Sequence, residues 1–136
     1  MPRLTQCYGI DTSVFVRLLT GHPEADFKRT TKALERLHDD NPATILVVSN
    51  QVVGEAYVTL QHFYGISKSA SRKAILYLFN TGIISPLNGQ PILDILSESG
   101  GAGLMDRLIT QDYLRNEATV LTNDRRMAKL EGARLL

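Results

Sequence analysis

The chain has 136 residues, 43% apolar and 21% charged, which is the length and composition of one folded domain and excludes an extended disordered tract. No apolar run approaches the roughly 18 to 20 residues that cross a bilayer. The formal net charge of +1 does not advertise a polyanion partner, although an acidic site and separate basic patches average out in such a sum.

The first β-rich run, Cys7-Tyr8-Gly9-Ile10, ends at Asp11. Thr12-Ser13 then opens a helix-period stretch through Val14, Phe15, Leu18 and Leu19. Cys7 is the only cysteine; it is expected as a small buried hydrophobe and fits a reducing compartment. With no leader-like apolar segment in Met1-Pro2-Arg3-Leu4-Thr5-Gln6, the expected location is cytoplasmic. Pro23-Glu24-Ala25-Asp26 starts a second helix, with proline and acids in the first turn, and Asn41-Pro42 ends it.

Thr44-Ile45-Leu46-Val47-Val48-Ser49 is β-branched and too short for a helix, so it reads as a buried strand. Val53, Ala56, Tyr57, Leu60 and Tyr64 form the stripe of the next helix, and another runs from Ser67 to Asn80, closed by Thr81-Gly82. Ile83-Ile84-Ser85 is a weak strand, Gln90 to Ser99 a helix, and Gly100-Gly101-Ala102-Gly103 a break before a helix over Leu104 to Asn116. Thr119-Val120-Leu121-Thr122 is a strand, a helix with Arg126, Met127 and Leu130 follows, and Ala133-Arg134-Leu135-Leu136 begins a last strand. Strands separated by helices predict a mostly parallel sheet covered on both faces, a single α/β/α domain over residues 1–136.

Four acids stand at the strand-to-helix junctions: Asp11, Glu55, Asp106 and Asp124. In a parallel sheet these junctions fall at the carboxyl ends of the strands, where ligands bind. Each acid has a plainer use. Asp11 and Asp124 suit helix N-caps, and Asp106 suits the start of a helix dipole. Glu55 falls on the border of its helix's apolar stripe, where an unpaired acid loses hydration without return. Asp112, six residues after Asp106, is rotated about 120° around its helix and is expected to face elsewhere.

Clustered carboxylates call for a cation. Mg²⁺ or Mn²⁺ suits carboxylate oxygens, and the His and Cys density that zinc prefers is lacking. The chemistry so implied is phosphodiester hydrolysis. Asp11, Asp106 and Asp124 hold one or two ions, and Glu55 binds metal or orients the attacking water. Thr12 and Thr122 offer hydroxyls to this site, or simply cap a helix and end a strand. Arg125 and Arg126 are candidates for phosphate contacts. Other basic clusters, Lys28-Arg29-Lys32-Arg36 and Lys68-Arg72-Lys73, are the ordinary composition of solvated helix faces.

Gly9-Ile10-Asp11-Thr12-Ser13, Ser49-Asn50-Gln51-Val52-Val53-Gly54-Glu55, Gly103-Leu104-Met105-Asp106-Arg107-Leu108-Ile109 and Leu121-Thr122-Asn123-Asp124 closely resemble, in order, the four motifs of the PIN domain. The resemblance spans nearly the whole chain. It implies a three-layer α/β/α sandwich around a five-stranded, mostly parallel sheet, and metal-dependent endoribonuclease activity. It further implies the toxin of a VapBC-type toxin-antitoxin pair, with RNA as substrate, a cognate antitoxin as partner and a homodimer as the assembly. Two positions depart from the family pattern: Arg107 stands where Ala is common, and Asn123 where an apolar residue is common.

Alternatives within this resemblance are a non-catalytic PIN-like interaction module, and a nuclease of RNA processing or of structured DNA. Other phosphate chemistries fit less well. Ser13 stands where a haloacid-dehalogenase-type enzyme needs its second Asp, a receiver's vicinal acids are absent, and Gly100-Gly101-Ala102-Gly103 completes neither a Walker A nor a dinucleotide motif.

Overall fold

The computed structural model describes residues 4–136; the reading of Met1-Pro2-Arg3 as free of a leader lies outside them. The elements in order are β1 (Gln6–Gly9), α1 (Thr12–Thr20), α2 (Glu24–Asp40), β2 (Thr44–Val48), α3 (Asn50–His62), α4 (Lys68–Asn80), β3 (Ser85–Pro86), α5 (Gln90–Ser97), α6 (Leu104–Arg115), β4 (Val120–Thr122), a 3₁₀ turn (Met127–Lys129) and β5 (Ala133–Leu135). Among the described residues no helix is long and apolar enough to cross a membrane. The class is α/β, and every strand pairing is parallel.

Local chemistry sets the boundaries. Ser49 and Ser67 cap α3 and α4 by accepting from the N–H groups of Val52 and Ala70, which satisfies donors that a helix start leaves open. Gly21 ends α1 in a left-handed conformation (φ 64°) and donates its N–H to Arg17 O, the usual glycine stop. Around α2, Lys28 pairs with Glu24 and Arg29 with Asp26. Two members of the first basic cluster are thus engaged with acids of their own helix.

The five strands do not form one sheet. β1, β2 and β3 pair in that order, and β4 pairs with β5 separately. Four residues of β1 find partners on β2, from Gln6 opposite Thr44 to Gly9 opposite Val47, while β3 contributes only two pairs. No ladder runs between β1 and β4 among the described residues, so the free side of β1 faces out. Every residue of β1 is exposed as a result, and Cys7 is an exposed free thiol, not the buried hydrophobe expected.

The sheet is also covered unequally. In β2, Thr44, Leu46 and Val48 are buried, whereas Ile45 between them is exposed and Val47 half-buried. That is the alternation of a strand with one face in the core, not of one buried on both. On the buried face α1 packs on α3, α3 on α4 and α4 on α5. Phe15 of α1 stacks on Phe79 of α4, with ring centroids 5.6 Å apart. Leu46, Val53, Leu60, Ile75, Ile84 and Ile92 complete the centre of this core.

Two expected elements shift. The strand expected at Ile83-Ile84-Ser85 lies at Ser85–Pro86, because Ile84 is fully buried in the helical core while Ile83 points outward. The helix expected around Arg126, Met127 and Leu130 is a single 3₁₀ turn. It is cut short as the chain turns back at Gly132 to place β5 beside β4.

Candidate active site

Asp11 follows β1 directly and caps α1. Its Oδ1 accepts from the Ser13 hydroxyl at 2.7 Å and from the Val14 N–H at 3.1 Å. The cap role and a ligand role are compatible, because Oδ1 is occupied while Oδ2 takes no hydrogen bond among the described residues. The Ser13 hydroxyl first, and then the Val14 N–H, hold the Asp11 carboxyl below its ordinary value of 3.8, since both stabilise the charged form.

Packing of α1 on α3 brings Glu55 to the same place. Thr12, the first residue of α1, donates its hydroxyl to Glu55 Oε2 at 2.5 Å. Gln51, one turn earlier on α3, donates to Oε1 at 3.2 Å. These two bonds, Thr12 foremost, lower the Glu55 pKa from 4.5, and repulsion from Asp11 acts in the opposite direction. Glu55 is exposed, so the hydration loss expected at the edge of the apolar stripe does not arise. Asp11, Thr12 and Glu55 thus form one ionised, solvent-facing group, with Ser13 and Gln51 fixing its oxygens.

The other two acids are placed by neighbouring elements. Asp106 is half-buried in the first turn of α6, which packs on α3. Gly54, just before Glu55, permits the approach: a Cβ there would lie 2.7 Å from the sulfur of Met105, beside Asp106. Asp124 stands after β4, where its Oδ1 accepts from the N–H groups of Arg126 and Met127. Thr122 accepts from the Asp124 N–H, so that hydroxyl shapes the same turn. Arg125 and Arg126 are exposed.

Arg107 does not reach toward a ligand or solvent. Its Nε donates to Ala102 O and one terminal nitrogen to Gly100 O, while the other pairs with Glu98. It braces the glycine-rich loop.

No family model matches the chain, and no curated protein matches it.

One polar assembly is absent from the sequence reading. Asn50, the first residue of α3, is buried. Its Nδ2 lies within hydrogen-bonding distance of Leu108 O, Gln111 Oε1 and Asp112 Oδ1, at 3.1, 2.8 and 3.0 Å. Asn88, just after β3, donates to the same two side chains. Asp112 is therefore held by Asn50 and Asn88 at the carboxyl ends of β2 and β3. The sequence signal was an asparagine within two residues of the end of each of two strands, β2 and β3.

The donor chemistry of the Asp11–Glu55 pair suits a hard divalent cation, since both are carboxylates and the groups bonded to them include no histidine or cysteine. Among the described residues no group of three or more His, Cys, Asp or Glu side chains is close enough to hold an ion. The remaining positions would then fall to water and phosphate oxygens, a division common for Mg²⁺.

The Thr12 bond gives a direct test. Above their ordinary values of 3.8 and 4.5, Asp11 and Glu55 contribute stability through these hydrogen bonds; it fades as pH falls below those values toward the lowered folded ones. In Thr12→Val the Glu55 carboxyl, followed by NMR titration, is expected to move up toward 4.5, and stability should depend less on pH there. An unmoved titration would show that Thr12 does not hold Glu55.

Proposed function

We propose that this protein is a PIN-like, Mg²⁺- or Mn²⁺-dependent endoribonuclease that acts in the cytoplasm as the toxin of a toxin-antitoxin pair. The observation that carries the proposal is the hydrogen bond from Thr12, the residue after Asp11, to Glu55, which sets carboxylates from two separate motifs near enough for Asp11 to repel Glu55. The ordered resemblance of four motifs to the PIN domain supports it further. On this reading the protein works as a homodimer restrained by a cognate antitoxin.

The residues divide the work. Asp11, its Oδ1 fixed by Ser13 and Val14, presents Oδ2 to the cation. Glu55, oriented by Thr12 and Gln51, shares the cation or accepts a hydrogen bond from the attacking water. Asp106, in the first turn of α6, and Asp124, after β4, would supply further carboxylate oxygens to the cation or its waters. When bound, the cation lowers the pKa of the attacking water and offsets charge on the phosphate oxygens. His22, His38 and His62 lie between α1 and α2, on α2 and at the end of α3, outside this group, and no histidine base is invoked.

Incubation of the purified protein with single-stranded RNA, in Mg²⁺, in Mn²⁺ and in EDTA, tests the proposal. Cleavage in either metal and none in EDTA is expected. Intact RNA under all three conditions overturns it, and cleavage of a matched DNA alone would assign the site to DNA.

A further inference from the structure

Two sets of basic side chains from separate parts of the sequence stand on either side of one loop. Lys68, Arg72 and Lys73 line a cavity of about 660 Å³ between α4 and the end of α5, closed by Glu98 to Gly100. Arg107, Arg126 and Lys129 line a second, of about 580 Å³, with Gly100, Gly101 and Ala102. Gly100 borders both cavities, so the two flank the same glycine-rich loop. The linings of these two cavities hold six cations and one carboxylate, Glu98, in a chain whose formal net charge is only +1, while Arg107 and Lys129 also border a third cavity with Asp94 and Glu131.

That one carboxylate is already neutralised, because Glu98 pairs with Arg107. Arg107 also takes the carbonyls of Gly100 and Ala102, which turns them away from an incoming anion. Arg72 donates a terminal nitrogen to Glu98 O, yet its Nε is buried without a hydrogen-bond partner, a charged donor left unsatisfied. Lys68, Lys73, Arg126 and Lys129 are exposed. Helix faces that bear only scattered solvated charge carry no reason to converge on one loop with their single acid cancelled.

We propose that Lys68, Arg72 and Lys73 of α4, with Arg126 and Lys129 after β4, form one phosphate-binding track that carries the backbone of single-stranded RNA across the glycine-rich loop. At the Arg126 end the track adjoins Asp124, whose Oδ1 accepts from the Arg126 backbone N–H. The choice of RNA rests on the ribonuclease reading. The chemistry itself is contact with successive phosphates, which positions a strand without reading its bases.

The test measures binding apart from cleavage. In an Asp11→Asn background, affinity for a labelled single-stranded RNA is followed against salt, with and without K68Q, K73Q, R126Q and K129Q together. Each lost phosphate contact on a single strand removes about 0.7 from the slope of log affinity against log salt, so the fourfold variant should lose about 3. Its affinity at about 0.1 M salt should fall more than tenfold. Should that variant melt early, K68Q with K73Q, both on the exposed face of α4, should show about half the slope change.

Unchanged affinity and slope overturn the track even if the unmodified protein cleaves RNA. Loss of binding in the variants of a protein that never cleaves RNA supports the track and overturns the ribonuclease reading. Preference for a matched single-stranded DNA overturns the choice of RNA.

Discussion

Asp11→Asn and Glu55→Gln are each expected to cut RNA cleavage by more than about 100-fold while the protein stays folded. Loss of a supporting residue around a bound metal already costs about 10- to 100-fold, and these two are the proposed ligands themselves. Both side chains are solvent-facing and outside the hydrophobic core, so neither amide opens a cavity. Asp11→Asn keeps an oxygen to accept from Ser13 and Val14, which preserves the cap of α1. Cleavage rates and melting curves on the same preparations check the outcome. Undiminished cleavage by Asp11→Asn would remove the basis of the proposed site.

The largest stability effect is expected at Asn50. Nδ2 faces three acceptors, which fixes the amide's orientation, because the flipped amide would set oxygen against oxygen three times. Asn50→Asp imposes that arrangement and adds a buried charge next to Asp112. The expected cost is about 3 kcal/mol or more. Asn50→Ala removes the donor without adding charge and should cost less, about 1 to 3 kcal/mol. Asp112→Asn keeps an acceptor oxygen and should fold normally. Denaturant unfolding of the three variants ranks them, and an Asn50→Asp protein as stable as the parent would show that this network does not join α6 to α3.

Much of the element order was legible because it is written locally. The helix start at Ser67, the apolar stripes of α3 and α4, and the β-branched run of β2 each depend on residues a few positions apart, whereas Ser49, read as the end of the strand, caps α3. The division of the strands was not legible, since whether β1 pairs with β4 depends on segments more than a hundred residues apart. Cys7 followed from that: an apolar run reads as buried until its outer edge is found unpaired. Ile83 and Ile84 look alike in sequence, and only the packing of α4 and α5 decides which is buried.

The site was legible in the same uneven way. Strand-end position marked Asp11, and the hydroxyl of Thr12 was a candidate to meet a carboxylate. That the carboxylate is Glu55 required the packing of α1 on α3. The spacing of Asp106 and Asp112 separated them around their helix but did not show the partners of Asp112, because Asn50 and Asn88 come from other elements. Arg107 showed in sequence only as a departure from the family pattern; the fold commits it to Glu98 and the glycine-rich loop.

The most direct measurement is the Mn²⁺-dependent rise in melting temperature of the unmodified protein, Asp11→Asn, Glu55→Gln and Asp112→Asn, each compared with EDTA. At about ten times the dissociation constant, the unmodified protein and Asp112→Asn should melt about 3 to 6 °C higher than without metal. Asp11→Asn and Glu55→Gln should show almost none of that rise. If both keep it in full, Asp11 and Glu55 do not bind the cation and the proposed active site is contradicted.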